Sequence, residues 1–186
     1  MTVAATDFAT LTGTYTVDAA HSRFGFVARH AMVTKVRGAF NEFESSFTID
    51  GADPAKSSVS VALQVASIDT RNEMRDGHLR TNDFLDAENF PQITFTSTGI
   101  AHEGGNDFLV TGDLTIKDVT KSITIPLEFT GAAKDPFGNE RVGFEGSTSI
   151  NRSDYGVTYN AALETGGVLV SDKITLEFEI SAIKNA

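Results

Sequence analysis

In stretch after stretch of this chain, apolar side chains recur at every second residue. Val59, Val61, Leu63 and Val65 form one such run; Phe108, Val110, Leu114 and Ile116 form another. Ile123, Ile125, Leu127 and Phe129 follow, and Ile174, Leu176, Phe178 and Ile180 close the series. Successive side chains of a strand point to opposite faces, so each run buries one face and leaves the other to water. A helix of 3.6-residue period cannot satisfy that pattern. Eight or nine such strands, spaced by turn clusters such as Gly51-Ala-Asp-Pro and Asp135-Pro-Phe-Gly, read as an antiparallel sandwich or barrel.

Two local faults sharpen this reading. Phe24, Phe26, Val36 and Phe40 sit at even positions, whereas Phe43, Phe47 and Ile49 are odd. A slip of one residue predicts a bulge or sharp bend near Asn41-Glu42, as at the corner of a closed barrel; two separate short strands fit the pattern equally. Pro126 interrupts a strong strand. It has no N–H to give a ladder, which puts that position at an edge or a bulge.

Only residues 69–91 break the alternation for long. Thr70 and Glu73 have capping-box spacing, and Met74 and His78 lie four apart on one helical face. Asp76 and Arg80 have the spacing of an ion pair, and Thr81 or Asn82 is placed to head a further turn carrying Phe84 and Leu85. The expectation is one helical insertion over about residues 70–88, ended by Pro91. Residues 1–12 read as a loose arm in which Phe8 and Leu11 are the groups able to dock, and residues 13–183 as one barrel domain.

The formal charge is −10, with no basic run, which argues against nucleic-acid binding. There is no cysteine, so disulfides and thiolate chemistry are excluded. No apolar stretch reaches the length of a membrane span. The first ten residues lack the basic and apolar regions of a secretory signal, so the expected location is cytoplasmic.

Candidate chemistry is sparse. His21, His30, His78 and His102 share no ligating spacing, so no metal site is expected. No Gly-x-Ser-x-Gly elbow occurs, and no catalytic residues are assigned. Arg75 and His78 are candidates to meet a ligand's polar head at the barrel mouth. The competing role for Arg75, which we favour, is a tether from the helix to strand carbonyls or to a carboxylate such as Asp18 or Asp69. Fourteen Phe either fill the interior or line a tunnel, and the pattern does not decide between them.

Several blocks together resemble a known family. They are His21-Ser22, Gly38-x-Phe40, Arg75-Asp-x-His78-Leu79, Asp83-Phe84, Phe90-Pro91-x-Ile93-x-Phe95, Gly112-x-Leu114-Thr-Ile116-x-x-Val119-Thr-Lys121 and Arg152-x-x-Tyr155-Gly156. In this order and spacing they are similar to the YceI-like family of polyisoprenoid-binding, lipocalin-like bacterial proteins, from about Gly13 to Ile180. Departures are modest. Tyr15 stands where Trp is common, Ser122 where Pro is frequent, and Tyr155 where Phe is common. Asp118 replaces a usual turn Gly, which the left-handed tolerance of Asp allows.

The resemblance implies an extended eight-stranded antiparallel lipocalin-like barrel holding an isoprenoid or quinone-like lipid in an apolar tunnel, and no other cofactor. It also implies a homodimer in many members, and export in many. Burial of a long tail at about 0.8 kcal/mol per methylene could support binding without many polar contacts. Phe24, Phe26, Phe40, Phe95, Phe108, Leu114 and Phe144 are the expected wall. They are chosen by parity alone, which leaves the opposite face of any one strand open. The function expected is storage, transport or sequestration of an amphiphilic lipid, without membrane insertion and without enzymatic activity. An enzyme acting on a hydrophobic molecule inside the barrel, and a filled barrel with a stress or interaction role, stay open as alternatives.

Overall fold

The computed structural model describes residues 6–186. Eleven strands and one α-helix lie among them. In chain order they are β1 (Gly13–Val17), β2 (Arg23–His30), β3 (Thr34–Phe40), β4 (Phe43–Ile49), β5 (Ser58–Gln64), β6 (Ile68–Asp69), α1 (Glu73–Leu79), β7 (Gln92–Gly104), β8 (Asp107–Ile116), β9 (Val119–Lys134), β10 (Glu140–Asn151) and β11 (Lys173–Lys184).

The strands close into an eight-stave antiparallel barrel. The ring runs β1-β4-β5-β7-β8-β9-β10-β11 and is sealed where Tyr15, Thr16 and Val17 face Lys184, Ile183 and Ala182. Three staves are each built from two strands: β1 with β2, β3 with β4, and β5 with β6. Their breaks are stitched to their neighbours. Asp18 donates its N–H to Ser181 O at 2.8 Å, Asn41 to Ser67 O at 3.3 Å, and Gln64 to Glu42 O at 2.9 Å. The slip in parity at Asn41-Glu42 is therefore a bend within one stave. It keeps both Phe40 and Phe47 buried in the interior although their positions differ in parity.

One seam of the barrel is incomplete. The β9–β10 ladder runs from Lys134↔Glu140 to Leu127↔Gly146 and stops there. Pro126, one residue beyond the last pair, brings no N–H. The proline thus sits at an edge, as its chemistry requires.

The interior divides into two apolar clusters. One, built on Tyr15, Phe24, Phe47, Phe129, Val142 and Ile180, fills the end where β1 starts and β11 finishes. Phe8 and Leu11, in a 3₁₀ turn over Phe8–Leu11, close that end. The Phe8 ring meets Phe108, Phe129 and His102 nearly edge-on, with centroids 5.3 to 5.4 Å apart. The buried Tyr15 hydroxyl donates to Leu11 O at 2.8 Å. Of the expected arm, residues 1–5 lie outside the described residues, and the segment carrying Phe8 and Leu11 is docked.

The second cluster, around Phe40, Ile68, Phe84, Leu114, Tyr155 and Val157, lies at the other end beneath α1. The helix is shorter than the pattern over 70–88 suggested. Seven residues are helical, and successive turns from Arg80 to Phe90 carry Phe84 and Leu85 inward. Thr81 does head one of them, accepting the N–H of Phe84 at 3.0 Å.

The expected capping box does not form. Asn72 caps the helix, its Oδ1 accepting from Arg75 N at 3.0 Å. The Thr70 hydroxyl instead donates to the buried Asp76 carboxylate, which also takes the Thr70 N–H at 2.9 Å. Nor do Asp76 and Arg80 pair, because Asp76 is committed to Thr70 and Arg80 reaches Ala66 O and Ile68 O. Met74 points to solvent, 88% exposed, so it does not share a buried face with His78. In the β8–β9 turn, Lys117 and not Asp118 takes the left-handed backbone, at φ 56°.

Candidate functional site

The barrel encloses a cavity of about 210 Å³ on the α1 side of the Phe8 plug. Its wall is assembled from alternate residues of nearly every stave. β8 gives Val110, Leu114 and Ile116; β9 gives Ile123, Ile125 and Leu127; β11 gives Ile174, Leu176, Phe178 and Ile180. Val110 and Ile116 lie roughly 20 Å apart along β8, so the space is elongated. Leu79, Phe84 and Leu85 roof it from the helical insertion, and Val157 and Val170 close it from the strap that links β10 to β11.

Two motif glycines make room for the aromatic wall. A Cβ on Gly38 would come within 2.3 Å of the Phe26 ring, and one on Gly112 within 2.5 Å of the Phe95 ring. Phe26 and Gly38 are direct cross-strand partners. The outer edge of each ring occupies the space of a missing side chain.

Of the seven side chains expected to line a tunnel, Phe24, Phe26, Phe40, Phe95 and Leu114 do border the cavity. Phe108 and Phe144 do not. Both pack on the opposite cluster, Phe108 against Phe8 at 5.4 Å and Phe144 against Phe129 at 5.5 Å. Their parity is that of the wall residues on the same strands, but they sit beyond the point where aromatic rings fill the barrel.

Arg75 stands away from the cavity. Its Nε donates to Thr70 Oγ1 and its Nη2 to Thr70 O, both at 2.7 Å, so it tethers α1 to the end of β6. Together with Asp76 it satisfies every polar group of Thr70. His78 is also set back. It pairs with Asp83 at 2.8 Å, and its ring packs edge-on against Phe84 and Tyr159 at 5.0 and 5.1 Å.

Arg152 is the one charged side chain on the cavity wall among the described residues. It is 7% exposed and, among the described residues, has no carboxylate within ion-pair distance. Its Nε, Nη1 and Nη2 donate to the carbonyls of Ser171, Val157 and Val170 at 2.9, 2.9 and 3.3 Å. It therefore sews both limbs of the strap to the barrel. Burial pulls its pKa below the ordinary value, and the Asp172 charge pulls the other way. The sequence placed Arg152 in a motif without marking it as a wall residue, since one Arg after a strand gives no sign of facing inward. No group of three or more His, Asp or Glu able to hold a metal occurs among the described residues.

A barrel with one plugged end and an apolar chamber behind a short helix has close relatives. The family model of the YceI-like domain matches residues 15–182. The chain belongs to the YceI-like family. A UPF0312 protein of Staphylococcus aureus strain MSSA476 is 38% identical over 169 residues, covering 90% of this chain and 95% of the relative. Among solved structures, BcnA of Burkholderia cenocepacia is 30% identical with a TM-score of 0.78, covering 89% of this chain and 98% of that one. A polyisoprenoid binding domain from Saccharophagus degradans shares the fold at a TM-score of 0.68 and 17% identity, over 92% of this chain and 98% of that one. This YceI-like chain has no helix, among the described residues, long and apolar enough to cross a membrane.

Proposed function

We propose that this chain binds a long-chain isoprenoid or similar amphiphilic lipid in its cavity, for storage, transport or sequestration. The observation that carries the proposal is the composition of the wall. Its polar side chains are Thr94, Tyr155 and Arg152, and everything else is aliphatic, aromatic or glycine. Apolar cavities of roughly 150 Å³ already stay dry and take up benzene. An elongated one of this kind favours a hydrocarbon tail over any polar metabolite. The wall supplies no carboxylate or histidine to act as an acid or base, which favours carriage over turnover. The polyisoprenoid binding described for the Saccharophagus degradans domain agrees with this ligand class.

The test is organic extraction of the purified native protein and mass spectrometry of the extract. One equivalent of a polyprenyl or quinone-like species is the expected result. An empty extract, before and after incubation with bacterial membrane lipids, would overturn the carrier reading. Phe26→Asp, which places a charge in the wall, should abolish uptake in a protein that still folds. Unchanged uptake would remove Phe26 from the binding surface.

A further inference from the structure

The open seam between β9 and β10 gives the chamber a side window. Beyond Leu127↔Gly146 the two strands no longer pair, so residues 119–126 and 147–151 each keep a free edge toward the other. At Gly146, the last paired residue, the strands still touch closely, a Cβ there falling 2.2 Å from Pro126 O. Among the described residues the split is bridged by a side chain, Thr148 Oγ1 donating to Thr124 O at 3.3 Å.

A groove of about 260 Å³ occupies the split. Ile123, Ile150 and Tyr155 border this groove and the apolar chamber alike, so they form the sill between the two. The groove is polar where the chamber is not. Lys121 and Lys173 flank it, with Ser122, Ser149, Asn151 and Asp154 between them. Neither lysine is in an ion pair among the described residues. In a chain of net charge −10 this is a local excess of one positive charge, counting Asp154 against the two lysines.

Tyr155 adds a second sign. It is only 2% exposed and its hydroxyl hydrogen-bonds no protein group among the described residues, yet no side-chain oxygen there is both buried and unpartnered, so the hydroxyl is open to the groove. An accessible phenol O–H is free to donate to a ligand. An unpaired strand edge likewise presents N–H and C=O groups that seek one. A ligand oxygen in the split would serve both.

Resting on the carrier reading above, we infer that the polar head of the bound amphiphile leaves the barrel through the β9–β10 split and is anionic. Lys121 and Lys173 face it from the two sides, and the Tyr155 hydroxyl donates to it at the sill. The tail runs inward past Ile123 and Ile150. Electrostatic attraction at the window then selects among lipids whose tails the chamber accepts equally.

The test compares geranylgeranyl phosphate with the neutral alcohol geranylgeraniol, each titrated by calorimetry into wild type and Lys121→Ala/Lys173→Ala. The readout is the ratio of the two affinities. Wild type should prefer the phosphate by about tenfold, a preference that falls to near unity in the variant and shrinks with added salt. Both lysines are exposed, so the variant should match wild type in thermal melting, and this is checked first. Tyr155→Phe should lower the ratio as well. Equal binding of the two lipids by wild type overturns the window and leaves the carrier reading standing. A phosphate preference that survives in the double variant also overturns it, and places the head at Arg152. Failure of both lipids to bind removes the carrier reading and the window with it.

Discussion

The two ends of this barrel solve the same problem in opposite ways. An eight-stranded sheet encloses more room than its wall residues need, and the space must be filled by the protein or left for a ligand. At the β1 end, Phe8 folds back from the chain start and packs edge-on against Phe108 and Phe129, which in turn meets Phe144. At the α1 end, Phe26 and Phe95 fill the places of absent side chains at Gly38 and Gly112, and a cavity stays open between the staves. The residue type is the same at both ends. What differs is that Phe26 and Phe95 each occupy the place of a missing side chain, Phe26 meeting Phe40 as well at 5.8 Å.

The sharpest way to break that comparison is to truncate one ring from each end. Phe129→Ala removes a buried ring held by Phe8 and Phe144 and should cost about 3–5 kcal/mol in chemical denaturation. Phe95→Ala removes a half-buried ring that borders a void, so it forfeits fewer contacts and should cost about 2 kcal/mol or less. The same Phe95→Ala protein should lose more lipid uptake than Phe129→Ala measured under conditions where both are folded. Equal stability losses, or the reverse order in uptake, would remove the distinction between a filled and an open end.

The α1 end has a different source of order. There the roof is fastened by one buried polar knot, in which Asp76 and Arg75 meet every polar group of Thr70. Asp76→Ala strands the Thr70 N–H and hydroxyl in the interior and should cost about 1–3 kcal/mol. Arg75→Ala should lower the melting temperature more than it lowers lipid affinity, since Arg75 touches the knot and not the cavity. The opposite ordering would return Arg75 to the head-group role.

How much of this was legible in the sequence follows from the same contrast. Period-two alternation reports which face of a strand is buried, and it located the staves, a break at Asn41-Glu42 that fitted a bend or two short strands equally, and the inward parity of the seven proposed wall residues. It cannot report height along the barrel axis. Phe108 and Leu114 share a face of β8, yet one abuts the Phe8 plug and the other borders the cavity. Height is set by where the chain start folds back, a contact between residues about a hundred apart. The polar details failed for a related reason. Thr70-x-x-Glu73 has the spacing of a capping box, but the long-range demand of the β6 end draws Thr70 to Asp76 and leaves Asn72 to cap. Arg152 stands in a motif without showing itself as a wall residue, because its acceptors are backbone carbonyls that no sequence pattern displays.

The smallest effect expected is at the β1 end and depends on pH. Arg141 bridges two carboxylates there, Asp18 at 2.7 Å and Asp135 at 2.8 Å. The Arg141 hydrogen bond, and then that of His21, lowers the Asp18 pKa from 3.8 to about 2. The same guanidinium holds Asp135 well below the usual carboxylate range. A carboxylate whose pKa is lowered on folding binds its proton more readily in the unfolded chain. Its contribution is therefore complete above pH 3.8 and is lost as the pH falls through about 2. The barrel should accordingly lose thermal stability between pH 5 and pH 2. Arg141→Met should melt lower than wild type at pH 5, with the gap narrowing towards pH 2 as Asp18 takes up its proton in the folded wild-type chain. Equal slopes in the two proteins would show that the network contributes nothing, as many solvent-accessible ion pairs do. The β1 end would then be held by its rings alone, and the contrast with the polar knot at the α1 end would become sharper.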